Sequence, residues 1–485
     1  MRRRDFLRTA GTATLGLALA TRTLSAAEPR RPNIVFILAD DLGYADLGCY
    51  GQTRIKTPHI DSLAAQGIRL TQHYSGNPVC APSRCTLMTG LHTGHAQVRN
   101  NKQVGGERAW ELGFTGSGQH PIAEYTLTVA KILKEAGYAT GAYGKWGLGT
   151  VASSGDPQKQ GFDHFYGYIC QRQAHTFYPN HLWNDGQVEW IEENKDGAEV
   201  KYSHDLIAAK ALDFIRRYKD QPFFLYAPFT IPHVALQAPQ DALDQYKGQW
   251  PDPAYDGGRG YVAHDTPRAC YAAMVSRMDA SVGSIIALLK ELNLEDNTLV
   301  IFTSDNGPTF AGGSDPAFFS SASPFRGLKG GVYEGGIRVP SIARWPGRIK
   351  PGSTSDHVSA FWDFLPTCCE LTGRQIPQDI DGISMLPALL GRDNQKQHEY
   401  LYWELNGQQA IRVGDWKALR NKPWLDVELY NLAEDIGEKN NLAKASPDLA
   451  RRLTEMIDKN RTSSDVFPLP KKPQPKPAAT SGPST

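Results

Sequence analysis

The stretch PNIVFILADDLGY, residues 32–44, decides how the fold is read. Ile34 to Ala39 form an unbroken apolar run, and two acids, Asp40 and Asp41, end it. A strand covered on both faces, as in a parallel sheet, has this pattern rather than an alternation of apolar and polar residues. TLVIFTSDNG (298–307) repeats the plan and closes on Asp305-Asn306-Gly307. PFFLYAPFTIPH (222–233) repeats it again and ends on His233.

Helical patterns lie between these runs, in LTVAKILKEAG (127–137) and YAAMVSRMDASVGSIIALLKEL (271–292). Strands alternating with helices predict an α/β fold with a large, mostly parallel central sheet flanked by helices. Ligands then bind beyond the carboxyl ends of the strands, where the polar residues stand. This main domain spans about 30–393. From about Asn394, short aromatic and β-branched runs in EYLYWELNGQQAIRVGDWKALRN (399–421), then DLARRLTEMIDKN (448–460), predict a smaller antiparallel sheet with one helix, 394–462. The Pro- and Lys-rich end, 463–485, predicts disorder.

The first 27 residues read as an export address. Arg3-Arg4 precede Phe6-Leu7, a weak apolar stretch follows, and Ser25-Ala26-Ala27 offers a cleavage site. The pattern resembles a bacterial twin-arginine signal and predicts a periplasmic or extracellular protein. No apolar run reads as a stable membrane anchor. With 485 residues and a formal net charge of +1, the chain has no excess charge for a nucleic-acid partner. Seven scattered cysteines without a C-x-x-C pair disfavour a thiolate zinc site.

Asp40, Asp41, Asp305 and Asn306 are hard oxygen donors, suited to calcium or, second, magnesium; capping of helices is the alternative. Arg84, Lys145, His233 and Lys329 each follow an apolar run beside Gly or Pro, and together they describe an anion site.

CAPSRCTLMTG (80–90) matches the C-x-P-S-R-x-x-x-x-T-G pattern, and the chain is identified by it as a member of the type I sulfatases of the alkaline-phosphatase-like superfamily. The resemblance continues through GYATGAYGKWGLG (137–149), GFDHFYGY (161–168), GLKGGVYEGGIRVP (327–340) and ELYNLAEDIGEKNNLA (428–443). It implies a sulfuric ester hydrolase in which a maturation enzyme oxidises Cys80 to formylglycine (3-oxoalanine). The hydrated aldehyde attacks sulfur with one hydroxyl, and loss of a proton from the second expels sulfate. Asp40, Asp41, Cys80, Asp305 and Asn306 would hold calcium. Arg84 would stabilise the diol, Lys145 and Lys329 would contact sulfate, and Lys329 or His233 would protonate the leaving oxygen.

One position departs from the family. Many members have Gly-Lys-Trp-His-Leu-Gly, and here GKWGLG (144–149) has Gly147. His175 is the expected replacement for the base, with His92 and His95 as further candidates. Gln171, Arg172, Gln173, Tyr178 and His181 form a polar and aromatic set suited to a sugar. The expected substrate is a sulfated galactose or N-acetylgalactosamine, or an aryl sulfate. A catalytically impaired binder of sulfated glycan and a phosphodiesterase of the same superfamily are the alternatives.

Overall fold

Val35, Ile37 and Ala39 enter one hydrophobic core, while Ile34, Phe36 and Leu38 enter another. The unbroken apolar run thus reflects a strand, Asn33–Ala39, with a core on each face. The strands Phe223–Pro228 and Thr298–Ser304 divide their side chains between the same two cores. The computed structural model describes residues 31–104, 118–258 and 260–474; the expected export signal lies outside them.

Among the described residues the main sheet has ten strands. Five are mutually parallel, in the spatial order Thr298–Ser304, Asn33–Ala39, Phe223–Pro228, Ala139–Lys145, His164–Tyr168. Antiparallel strands extend both margins, so the sheet is mixed with a parallel centre. On one margin His181–Asn184 and Gln187–Trp190 form a tight hairpin, turned by Asp185-Gly186 with φ of 47° and 80°.

The helices Ser203–Arg217 and Pro267–Glu291 supply Phe214, Met274, Met278 and Ile285 to one core. By length and composition Pro267–Glu291 could cross a membrane, but those residues are buried within the protein. The helices Cys80–Thr89, Val129–Glu135 and Phe364–Thr372 cover the other face. Parallel register brings Ala39 opposite Ser304 and Leu38 opposite Pro228. The residues after these strands therefore gather at one edge.

Leu401–Leu405, Gln408–Val413, Trp416–Arg420 and Glu428–Asn431 form a separate antiparallel meander. Its Tyr402, Ile411, Ala418 and Leu429 pack against Leu453 and Ile457 of the helix Pro447–Lys459. Leu401, Trp403, Ala410, Leu419 and Tyr430, on the opposite face, pack on Tyr74, Val332, Ile337 and Trp362. Within the stretch expected to be disordered, Phe467 is buried and stacks edge-on with His120 at 5.5 Å.

Lys417 ties this sheet to the main body. It is fully buried and bridges Glu334 and Glu438, each at 2.9 Å. Glu334 begins the short helix Glu334–Ile337, just after the loop that bears Lys329. Lys417→Met would leave two buried acids without their shared cation. It is expected to destabilise the protein by about 3 kcal/mol, seen as a lower urea midpoint. An unchanged midpoint would contradict this.

Candidate active site

Asp40 and Asp41 follow the central strand directly, and both are fully buried. Asp41 takes a positive φ of 66°, a conformation Asp tolerates better than most residues. Asp41 N–H donates to Asp305 Oδ1 at 3.2 Å, and Asn306 Nδ2 donates to Asp41 Oδ1 at 2.7 Å. The two acidic pairs therefore meet.

Cys80 is the first residue of its helix, and Arg84 stands one turn later on the same face. Arg84 donates through Nε and Nη2 to Asp305 Oδ2, at 3.1 and 2.8 Å, and through Nη2 to Asp40 Oδ2 at 3.1 Å. Its remaining nitrogen donates to the Lys145 carbonyl. Lys145, the last residue of its strand, pairs with Asp40, and its Nζ lies 3.5 Å from Cys80 Sγ. The Cys80 thiol donates to Asp40 Oδ1 at 3.5 Å.

Lys329 Nζ reaches Asp41 Oδ2 at 2.7 Å, and His233 Nε2 lies 3.7 Å from the same oxygen. The Lys329 loop is held from three sides. Lys329 N–H donates to the Pro308 carbonyl and Gly330 N–H to Pro78, while Gln408 Nε2 donates to the Gly330 carbonyl.

Burial opposes ionisation throughout this site, and among its acids the local charges overcome burial only at Asp40. Asp40 is held well below the usual carboxylate range, because Lys145, Arg84 and Lys329 together outweigh its burial. Burial raises Asp41, where Lys329 only partly offsets it and Asp40 adds repulsion. Burial and Asp40 push Asp305 up to about 6. Burial, then Asp40, pushes the Cys80 thiol up to about 12, so an unmodified thiol there carries little thiolate at neutral pH. Burial, Lys145 and Lys329 hold His233 neutral, well below its ordinary range.

The oxygen set fits a hard divalent cation. Asn306 Oδ1 is buried without a hydrogen-bond partner, beside three buried carboxylates. Three converging acids repel one another, and a cation among them would remove that cost. Cys80, Asp40, Asp41 and His233 also bring ligand atoms within 4.8 Å of one another.

The sulfatase family model matches residues 32–374, the segment that contains every residue of this site. The chain belongs to the sulfatase family. The C-terminal model of N-sulphoglucosamine sulphohydrolase matches residues 329–463. The N-acetylgalactosamine-6-O-sulfatase of Bacteroides thetaiotaomicron is 30% identical, over 89% of this chain and 94% of that protein. Human arylsulfatase A is 33% identical, over 91% and 90%. The crystal structure of Ps i-CgsB in complex with k-i-k-neocarrahexaose matches with a TM-score of 0.73 at 29% identity, over 89% of this chain and 92% of that one.

The sequence-derived residues of this sulfatase fall into three groups. Asp40, Asp41, Cys80, Arg84, Lys145, His233, Asp305, Asn306 and Lys329 converge as described. His175 reaches the site from the side: its ring stacks on His233 at 5.2 Å, and burial with Lys145 and Lys329 lowers its pKa to about 4. Arg172 is exposed, and its charge acts on His175.

The remaining candidates are engaged elsewhere. Gln173 and His181 are buried, and Gln173 Nε2 donates to the His181 carbonyl at 3.0 Å with the His181 ring also within reach. These contacts tie the loop together. Tyr178 packs on Tyr202 at 5.4 Å. His92 and His95 stack on each other at 4.2 Å and face Asp381, so neither can serve as the base at Cys80.

The structure also accounts for Gly147. Its φ is 80°, and a Cβ there would lie 1.9 Å from Gln171 Nε2. The Gln171 carboxamide thus stands where a side chain at 147 would begin, and both its polar atoms are buried without partners. Sequence reasoning missed Tyr261 altogether. Burial raises its phenol pKa, and the charges of Lys329, Asp41, Lys145 and Cys80 also act on it. It lies in the Gly-rich stretch YDGGRGYVAHD (255–265), whose composition signals only a loop.

Proposed function

We propose that this sulfatase hydrolyses a sulfate monoester on a sugar of the galactose or N-acetylgalactosamine type, using formylglycine made from Cys80 and a calcium ion. The observation that carries the reading is the convergence of Cys80 with four buried oxygen-donor side chains and the cations Arg84, Lys145 and Lys329. The relatives named for N-acetylgalactosamine 6-O-sulfate and aryl sulfates support it.

Calcium held by Asp40, Asp41, Asp305 and Asn306 would supply a positive charge for a sulfate oxygen. The hydrated aldehyde would supply one hydroxyl to attack sulfur and a second whose deprotonation releases sulfate. Arg84 orients the nucleophile by fixing Asp40 and Asp305. Lys145 and Lys329 neutralise charge on the transferring sulfuryl group. As the ester S–O bond breaks, Lys329, which its acidic neighbours keep protonated, gives the departing alcohol its proton, since the other candidate, His233, is held neutral.

The test is to express the chain with a formylglycine-forming maturation enzyme, weigh the Cys80 peptide, and assay defined sulfated sugars, an aryl sulfate and a phosphodiester. Oxidised Cys80 with sulfate release is expected. Oxidised Cys80 without turnover of any ester would overturn the hydrolase reading in favour of a glycan binder. Preference for the phosphodiester would overturn the sulfate reading.

His175 is assigned the proton-accepting role that Gly147 cannot fill. His175→Ala is expected to lower kcat about 100-fold, the scale of losing a general base. An unchanged kcat with a raised KM would make His175 a sugar contact instead. Export follows the twin-arginine reading, and replacing Arg3 and Arg4 by Lys is expected to retain the protein in the cytoplasm. Undiminished export of that variant would count against it.

A further inference from the structure

Two backbone bridges, Tyr255 with His264 and Gly258 with Tyr261, make a small hairpin beside the site. Tyr255 and His264 exchange two backbone hydrogen bonds, each of 2.9 Å, and Gly258 and Tyr261 exchange two of 3.1 and 3.0 Å. The hairpin is seated closely on the segment that follows Asn306. A Cβ at Gly312 would lie 3.2 Å from Tyr261 Cγ, and one at Gly313 would lie 3.0 Å from Tyr255 Cβ. Lys329 N–H bonds the Pro308 carbonyl of the same segment, so the hairpin and the catalytic lysine share one support.

Tyr261 ends a ladder of rings. Its ring lies tilted against His175 at 5.2 Å, His175 stacks on His233 at 5.2 Å, and His233 faces Asp41. The ladder runs from the buried carboxylates outward. Two large apolar side chains near it in the chain are exposed, Val262 at 49%, next to Tyr261, and Phe310 at 63%, on the segment that supports the hairpin. Phe310 stands two residues from Pro308 and two from Gly312. No hydrogen-bond partner of the Tyr261 hydroxyl occurs among the described residues, and the ring is only partly buried. Exposed aromatic surface beside a deep polar site marks a place where a ligand's apolar face is covered. Arg84 and Lys145 are buried at the bottom of the site, Arg172 is exposed and acts on His175 from the side, and Tyr261, Val262 and Phe310 are themselves uncharged. A pyranose ring, with an apolar C–H face and hydroxyls at its edge, suits such a surface.

We propose that Tyr261 and Phe310 form a sugar-stacking rim for a pyranose neighbouring the sulfated one, so that the preferred substrate is an oligosaccharide. This rests on the sulfatase reading for the position of the sulfated ring.

The test uses the full, calcium-loaded protein and calorimetric titration with three probes: a sulfated galactan hexasaccharide, galactose 6-sulfate and an aryl sulfate. The unaltered protein should bind the hexasaccharide more tightly than the monosaccharide. Tyr261→Ala with Phe310→Ala should weaken hexasaccharide binding about 10-fold or more and erase that advantage, while Tyr261→Phe retains most of it. Thermal melts of the variants exclude misfolding as the cause, and Phe310→Ala alone, at an exposed position, provides a second reading if the double variant does not fold. Equal binding of hexasaccharide and monosaccharide by the unaltered protein overturns the proposal. So does an unchanged hexasaccharide affinity in the variants, or a loss confined to the aryl sulfate, which would make the rim an aglycone site. Turnover by the matured enzyme is measured in parallel. A hexasaccharide advantage without turnover would overturn the hydrolase reading and leave the rim standing.

Discussion

Cys80→Ser is expected to abolish multiple turnover while leaving the fold and the calcium site intact. The exchange replaces one small buried atom by another, so the packing of the helix Cys80–Thr89 changes little. The chemical difference is large. A serine has one hydroxyl and cannot be matured to an aldehyde. If it attacks sulfur, the sulfuryl group stays on it, because no second hydroxyl is present to expel sulfate. Steady-state turnover should fall by about 10⁴-fold or more, the scale of losing a catalytic nucleophile. A single stoichiometric release of alcohol is the most that should be seen, with a sulfate-sized mass gain on the peptide. The measurement is a burst experiment on an aryl sulfate followed by mass spectrometry. Sustained turnover near that of the unaltered enzyme would sink the formylglycine mechanism. Cys85→Ala, five residues on in the same helix, should be mild in its effect on rate, since Cys85 is a buried, unpaired thiol in the core behind the site.

Asp305→Ala carries the second large effect. Asp305 accepts two hydrogen bonds from Arg84 and one from the Asp41 backbone, so its loss removes a metal oxygen and leaves the guanidinium held only by Asp40 and the Lys145 carbonyl. A metal's stabilisation of a transferring group amounts to several kcal/mol, so activity should fall about 10³-fold or more. Calcium bound to the folded state alone should stabilise the unaltered protein by about 2.7 kcal/mol at 100 times its dissociation constant. The variant should lose this effect, and a chelator should reproduce the loss in the unaltered protein. The readout is the melting temperature with and without calcium. A full calcium-dependent rise in Asp305→Ala would remove these residues from the metal site.

Much of the fold was legible because covering a strand on both faces forces a pattern on it. PNIVFILADD, PFFLYAP and TLVIFTSDNG had to be apolar without alternation, and parallel pairing then had to bring their polar ends to one edge. The sheet margins were less legible, because short strands such as Ser353–Ser355 and Ile68–Leu70 carry too few residues to show a period. The buried length of Phe467 was hidden by a proline- and lysine-rich composition that reads as unfolded.

The site divides in the same way. Cys80, Pro82 and Arg84 are close in the chain, and helix geometry alone places Cys80 and Arg84 on one face. The oxygen donors could be named as a set from their strand ends. That Asp41 and Asp305 touch across 264 positions was decided by the parallel register of two strands. Which histidine does what was also a tertiary outcome. Residue type does not distinguish His92 and His95, turned to Asp381, from His175, stacked on His233. Nor could the sequence show that the Gln171 amide takes the space beside Gly147, or that the Tyr261 ring comes to lie against His175. Those depend on where loops from distant parts of the chain come to rest, and loops carry no periodic signal from which that position follows.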